Sequence, residues 1–216
     1  MCLFCLTLSL VLGYAGYLVY SSASEYSLQK KLNALEYGSE AWILEAARQA
    51  EQGYAHAQHD LGRLYLGYYT GMNGETYGTV NLEEGVKWIR KAAEQGDATA
   101  QIDMSRCYSM GEGVPKDGAE AIKWLRKAVK QGDSYAMYSL GASYYYGSKG
   151  LPEDKSEAVK WFRKAAENGS ERSANAMHAL SMCYYHGDGV SENKAEAEKW
   201  LNKAKEAGWG KSGVVR

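Results

Sequence analysis

The chain has 216 residues, 45% of them hydrophobic, and its 25 basic and 26 acidic residues leave a net charge of −1. That length admits one or two ordinary domains or one modest repeat array. The balanced charge excludes the basic footprint of a nucleic-acid binder and the acidic block of a disordered tail. Two prolines against 24 glycines fit short helices broken by glycine turns, and 18 tyrosines supply many side chains suited to half-buried, half-wet positions.

Residues 2–20, CLFCLTLSLVLGYAGYLVY, carry no charge. The run is long enough to cross a bilayer and slightly long for the apolar region of a signal peptide. Tyr14, Tyr17 and Tyr20 gather at its end, where an interfacial belt would lie, and Ser21-Ser22-Ala23 offers a small-x-small cleavage site. Residues 1–23 therefore read as a signal peptide or membrane anchor. The rest of the chain is expected in the periplasm, or held on the inner membrane facing it. No Lys or Arg precedes the run, and Lys30 and Lys31 follow it, so a cytoplasm-facing anchor is the alternative. Cys2-x-x-Cys5 has no second pair to complete a metal site.

Residues 24–52 read as a linker and an N-terminal capping helix. EAWILEAARQAEQG ends as the later helices do, with Glu45 where they carry tryptophan. Four repeats follow, at 53–95, 96–131, 132–168 and 169–208, and then a tail at 209–216. Their second helices read KWIRKAAEQGD, KWLRKAVKQGD, KWFRKAAENGS and KWLNKAKEAGW, with Trp88, Trp124, Trp161 and Trp200 in register. Four in-register matches at a period of 36 to 39 residues indicate a solenoid.

The first helix of each repeat follows a glycine. It places Ala57, Ala100, Ala136 or Ala176 near its start and Tyr65, Tyr108, Tyr144 or Tyr184 near its end. In the last three repeats alanine, then leucine or methionine, then tyrosine step by four, one face of a helix. The second helix is amphipathic, with Ala, Trp and Ala on one stripe and Lys, Arg and Glu on the other. Small residues allow close approach and tryptophan fills the space opposite. One hairpin cannot bury both its faces, so stacking supplies the core. Repeat 1 carries an insertion at 67–81 between its helices, and repeat 4 a shorter one, SERSAN, at 170–175.

The pattern A-x-x-x-L-G-x-x-Y, then G-x-G-V-x-x-D, then A-x-x-W-x-x-K-A-A-x-x-G resembles the Sel-one-like repeat family, relatives of tetratricopeptide repeats, over about residues 50–208. The resemblance implies an all-α fold, a right-handed α/α superhelical solenoid of four helical-hairpin repeats, here with an N-terminal capping helix. It also implies a concave, protein-binding inner face and no single activity.

Chemistry finds little support in the sequence. The cysteine-rich branch of the family is associated with β-lactam binding or hydrolysis and carries a disulfide in each repeat. This chain has four cysteines, two of them, Cys107 and Cys183, at equivalent positions two repeats apart and suited to packed core. Ser27-Lys30 and Ser191-Lys194 match S-x-x-K, and Lys211-Ser212-Gly213 imitates a third β-lactamase motif, without the S-D-N element between. GWGKSG lacks the first glycine of a P-loop and no strand precedes it. A β-lactam-binding hydrolase is thus the alternative to a non-enzymatic scaffold. No cofactor and no metal is expected.

What remains is surface. The repeat-variable positions of the first helices should line the inner face: His56, His59, Asp60 and Arg63, then Thr99, Asp103 and Arg106, then Tyr135 and Tyr138, then Asn175, His178 and Met182. The first half is charged and the second aromatic and soft. That gradient suits a polypeptide with one polar and one apolar end. Arg63 and Arg106 occupy equivalent positions, as a two-arginine clamp for a carboxylate would. The expected protein is a monomeric envelope scaffold binding a polypeptide, in a pointed version an immunity protein that blocks a secreted toxin. Membrane contact is expected through residues 2–20 where they are not cleaved.

Overall fold

A computed structural model describes residues 40–68, 80–147, 151–169 and 173–210. The apolar run 2–20, Ser27-Lys30, Lys211-Ser212-Gly213 and most of the repeat 1 insertion lie outside the described residues. Among those described, the chain forms α1 (Glu40–Glu51), α2 (Ala55–Tyr65), α3 (Leu82–Glu94), α4 (Ala98–Met110), α5 (Gly118–Lys130), α6 (Ser134–Tyr146), α7 (Lys155–Glu167), α8 (Ala174–His186) and α9 (Lys194–Glu206). None of these helices is long and apolar enough to cross a membrane. The expected class is the one found: all-α, built from helical hairpins. The helices fall into two compact units, residues 1–95 with α1 to α3 and residues 96–216 with α4 to α9.

Each second helix starts by the same local chemistry. The side chain of Asn81, Asp117, Asp154 or Asn193 accepts from the backbone amide of Glu84, Glu120, Glu157 or Glu196, at 2.8 to 3.1 Å, and so satisfies one orphan donor of the first turn. That glutamate then pairs with the lysine three residues on: Lys87, Lys123, Lys160 or Lys199, at 2.8 to 3.2 Å. Exposed pairs of this kind add only about 0.3–0.5 kcal/mol each, so they trim the helices rather than hold the fold. A second device closes each hairpin. The backbone amide of the same cap residue donates to the carbonyl of Tyr65, Tyr108, Tyr144 or Tyr184, at 2.8 to 2.9 Å. The bond is the same over the long connection of repeat 1 and the short ones after it.

In the first unit, Trp42, Ala46, Ala50, Ala57, Leu61 and Leu64 make the core between α1 and α2. Helices α2 and α3 meet backbone to backbone. A Cβ at Gly62 would lie 2.9 Å from the Gly85 carbonyl oxygen and 2.4 Å from the Ile89 side chain.

In the second unit the hairpins α4–α5, α6–α7 and α8–α9 stack. One core cluster joins Ile102, Ile122, Leu125, Ala128, Ala136 and Leu140, and another joins Val159, Phe162, Ala176, Leu180, Cys183 and Trp200. Side-chain bonds from the end of a repeat back to its start add direction to this packing. Gln131 Nε2 donates to the Gly96 carbonyl at 3.0 Å and to Gln101 Oε1 at 2.9 Å, and Asn168 Nδ2 donates to the Gly132 carbonyl at 2.6 Å. Those carbonyls point back because Gly96 (φ 99°) and Gly132 (φ 83°) reverse the chain in the left-handed region. The turn before α9 also presses on α7, where Gly189 lies so close that a Cβ would sit 2.2 Å from the Lys155 carbonyl oxygen. Beside it Asp188 accepts from Tyr145 Oη at 2.5 Å and from Lys155 Nζ at 2.7 Å, tying repeat 4 to both helices of repeat 3.

The tryptophans behave alike. A lysine three residues on lies over each ring, 3.8, 3.6, 4.5 and 4.4 Å from the centroids of Trp88, Trp124, Trp161 and Trp200. Trp88 packs against the α1–α2 core, Trp161 against the core of α4 to α6 and Trp200 within that of α7 and α8, and in each case the lysine ammonium lies over the ring.

Candidate binding face on the A helices

The first helix of each hairpin, here called its A helix, leaves one arc uncovered by its partner. At about 100° per residue, positions 135, 138, 142, 145 and 146 of α6 share an arc of roughly 100°. The equivalent residues are 99, 102, 106, 109 and 110 on α4, and 175, 178, 182, 185 and 186 on α8.

In the first unit this arc is polar. His56 Nε2 lies 3.3 Å from Gln49 Oε1, and its ring tilts against Tyr54 with 6.1 Å between centroids. Asp60 and Arg63 are half-buried, and the Arg63 guanidinium sits 5.8 Å from the centroid of Tyr68. His59 departs from expectation. It is only 7% exposed and belongs to the interior rather than to an open histidine pair. Its position leans into the seam between helices, where the equivalent Ile102 is also buried.

In the second unit α4 is mixed. Thr99 and Asp103 are half-buried, and Arg106 Nη2 donates to Glu112 Oε2 at 3.2 Å. The two arginines proposed as a clamp belong to different units, and each has its own neighbours. From α6 onward the surface changes. Neither α6 (SYAMYSLGASYYY) nor α8 (ANAMHALSMCYYH) contains an Asp, Glu, Lys or Arg, while α7 and α9 are rich in them. Rings succeed one another along α6. Tyr135 lies 6.2 Å from Tyr138, Tyr138 and Tyr145 lie 5.8 and 6.4 Å from Phe162, and Tyr145 meets Tyr146 edge-on at 4.9 Å. Tyr138 is half-buried, whereas Tyr135 is 40% and Tyr146 79% exposed. Burial first, and then the proximity of Tyr135 and Tyr146, holds the Tyr138 hydroxyl above the ordinary phenol range.

On α8 the exposed residues are Asn175, Met182 at 41%, Tyr185 at 52% and His186. Tyr185 meets His186 edge-on at 5.0 Å. His178 is covered rather than open. Trp209, from the turn after α9, stacks on it with 3.8 Å between centroids and 11° between planes, and burial lowers its pKa. Where formal charge touches the aromatic strip it comes as a bonded pair. Lys155 and then Tyr145 hold the Asp188 carboxyl below the usual range, and that bond to Asp188 pushes the Tyr145 hydroxyl up.

The last turns of the A helices extend the arc beyond the positions expected to line it, which end at Arg63, Arg106, Tyr138 and Met182. Tyr145, Tyr146, Tyr185 and the exposed Met110 extend the same arc by one turn. Their signal was available: they stand three and four residues beyond 106, 142 and 182.

No catalytic constellation emerges among the described residues. Ser191, Glu192 and Lys194 are all exposed at the start of α9, with Lys194 Nζ 3.6 Å from Glu192 Oε1. Cys107 and Cys183 are free and buried, and burial pushes their thiols up to about 12 and about 11. Such thiols pack and do not attack. No group of three or more His, Cys, Asp or Glu among the described residues is arranged to hold a metal ion.

The Sel1 repeat model matches residues 55–97, 98–133, 134–170 and 174–209. The chain belongs to the Sel1 repeat family. A protective antigen of uropathogenic Escherichia coli displaying an SLR fold is 37% identical with a TM-score of 0.67, over 77% of this chain and 33% of its own. The chain thus spans about a third of that protein's length. A Sel1 repeat protein from Oxalobacter formigenes is 32% identical with a TM-score of 0.72, over 85% of this chain and 68% of its own. An immunity protein of Pseudomonas aeruginosa shares the fold at 19% identity and a TM-score of 0.55, over 89% of this chain and 68% of its own. No curated protein matches the sequence. Sel1 repeat proteins are generally scaffolds for protein interaction, not enzymes.

Proposed function

We propose that this Sel1 repeat protein is a non-enzymatic adaptor of the bacterial cell envelope that holds a polypeptide partner against the A-helix face. The observation that carries the reading is the surface of α6 and α8. Tyr135, Tyr146, Met182 and Tyr185 stand exposed on helices without a single formally charged residue. Exposed tyrosines and methionines are the residues that interfaces concentrate, and a soluble array has no folding need to display them. The envelope part rests on the uncharged run 2–20 and the Ser21-Ser22-Ala23 site that follows it. In its pointed form the partner is a secreted toxin and the protein confers immunity to it.

The test is partner capture by the full chain in its native host, with cross-linking and mass spectrometry. Tyr135→Glu with Tyr146→Glu on the A face is compared with Lys123→Glu and Lys160→Glu on α5 and α7, second or B helices of their hairpins. A partner recovered by wild type and by the B-helix variant, but not by the A-face variant, supports the proposal. Equal recovery by all three removes the A face from it. Co-expression with a neighbouring toxin gene tests the pointed form: survival that depends on this protein supports it, and unaltered killing rules it out.

A further inference from the structure

The chemistry of the A face in the second unit specifies the kind of segment it accepts. A charged side chain brought against α6 and α8 would lose water and gain no counter-charge from either helix. Neither helix holds an Asp, Glu, Lys or Arg, and the neighbouring charges of Asp188 and Lys155 already neutralise each other at 2.7 Å. Such desolvation is costly without a partner ion. The exposed groups instead offer ring faces, a thioether, hydroxyl tips and the His186 imidazole edge-on to Tyr185. Rings and thioether take apolar or aromatic side chains, and the hydroxyls take peptide N–H and C=O groups. Much of the strip is preformed, because Tyr138 and Tyr145 rest on Phe162 and Tyr145 is fixed by Asp188, so little order remains to be imposed on binding.

We infer that α6 and α8 together form a docking site for an uncharged polypeptide segment carrying aromatic or aliphatic side chains. This rests on the proposal that the A face binds polypeptide, and it adds what that polypeptide must be.

The experiment is selection of displayed random peptides of about 12 residues on the full chain, counter-selected on the Tyr146→Ser, Tyr185→Ser variant. Both substituted residues are exposed, so the fold is retained, and circular dichroism of the variant checks this. The enriched peptides should share an uncharged stretch with aromatic or aliphatic residues. Their affinity should change by less than about twofold between roughly 50 and 500 mM salt, since no exposed ion pair is involved. The variant should bind them at least about tenfold more weakly, as for loss of central interface anchors. Enrichment of charged peptides with salt-sensitive binding overturns this inference and leaves the broader adaptor reading standing. Enrichment of nothing overturns the inference, and together with equal partner capture by the three proteins above it overturns both. If the variant loses association with phosphatidylcholine vesicles but keeps every peptide, the face is a lipid contact and the inference fails.

Discussion

In the first unit the A helix carries His56 and Arg63 on its free arc and meets α3 through Gly62 and Gly85, where the Ile89 and Leu66 side chains close around the contact. In the third repeat the A helix carries Tyr135, Tyr138, Tyr145 and Tyr146 on the same arc, and it meets α7 through Gly141 beside Ala158 and the Phe162 ring. Both hairpins close by the same tyrosine-carbonyl bond and start their second helix with the same cap. The fold is therefore fixed by a small set of buried and capping positions. The free arc is left for other purposes and diverges completely between the two repeats. The two sets meet at one position, that of His59, Ile102 and Tyr138, which lies on the arc yet packs into the seam between helices.

That separation makes graded predictions. The largest effect falls on tryptophan: Trp124→Ala, at a buried site in the second unit, should lower stability by about 3–5 kcal/mol in urea unfolding. Trp88→Ala, at a half-buried site in the first, should cost less. Equal losses would mean that burial does not grade the two units. Next comes the helix contact. Gly62→Ala places a Cβ 2.9 Å from the Gly85 carbonyl and should cost about 1–3 kcal/mol. Gly141→Ala should cost less, because its nearest backbone obstacle, the Ala158 carbonyl, is 3.3 Å away and the equivalent residues of α4 and α8, Ser105 and Ser181, already carry a Cβ.

A third prediction concerns acid. The folded pKa of Asp188 is depressed, so its contribution is complete above the ordinary aspartate value of about 3.9 and is lost as pH falls below it. Asp188→Asn should flatten the acid limb of a stability-versus-pH curve in that window, and an unchanged limb would show that the tie between repeats 3 and 4 is incidental. The smallest stability effect belongs to the face itself. Tyr146→Ser should move stability by no more than about 0.5 kcal/mol while weakening partner capture. A large loss of stability would make Tyr146 part of the fold instead.

The fold was legible because its signals are periodic. Four tryptophans, four small alanines and the turn glycines repeat in register, and each has one packing role. The free arc was legible for the same reason, since helical geometry turns residue numbers into directions. Direction is not neighbourhood, and there the sequence ran out. His59, Ile102, Tyr138 and His178 are equivalent, yet the first two are buried, Tyr138 rests on Phe162, and His178 lies under Trp209. Trp209 read as the start of a tail because its cover over α8 depends on how the turn after α9 folds back, which no local pattern encodes. The tie between Tyr145, Lys155 and Asp188 was hidden likewise, because it joins residues up to 43 apart through tertiary contact alone.

The most direct measurement is hydroxyl-radical footprinting of the full chain, free and bound to its partner or to a selected peptide. Tyrosine and methionine report well, and Tyr135, Tyr146, Met182 and Tyr185 are exposed in the free protein. The account predicts that these four lose reactivity on binding while Tyr54 and Trp88 of the first unit and Trp161 on a B helix keep theirs. Protection at Trp88 and Trp161 with Tyr146, Met182 and Tyr185 unchanged would contradict it.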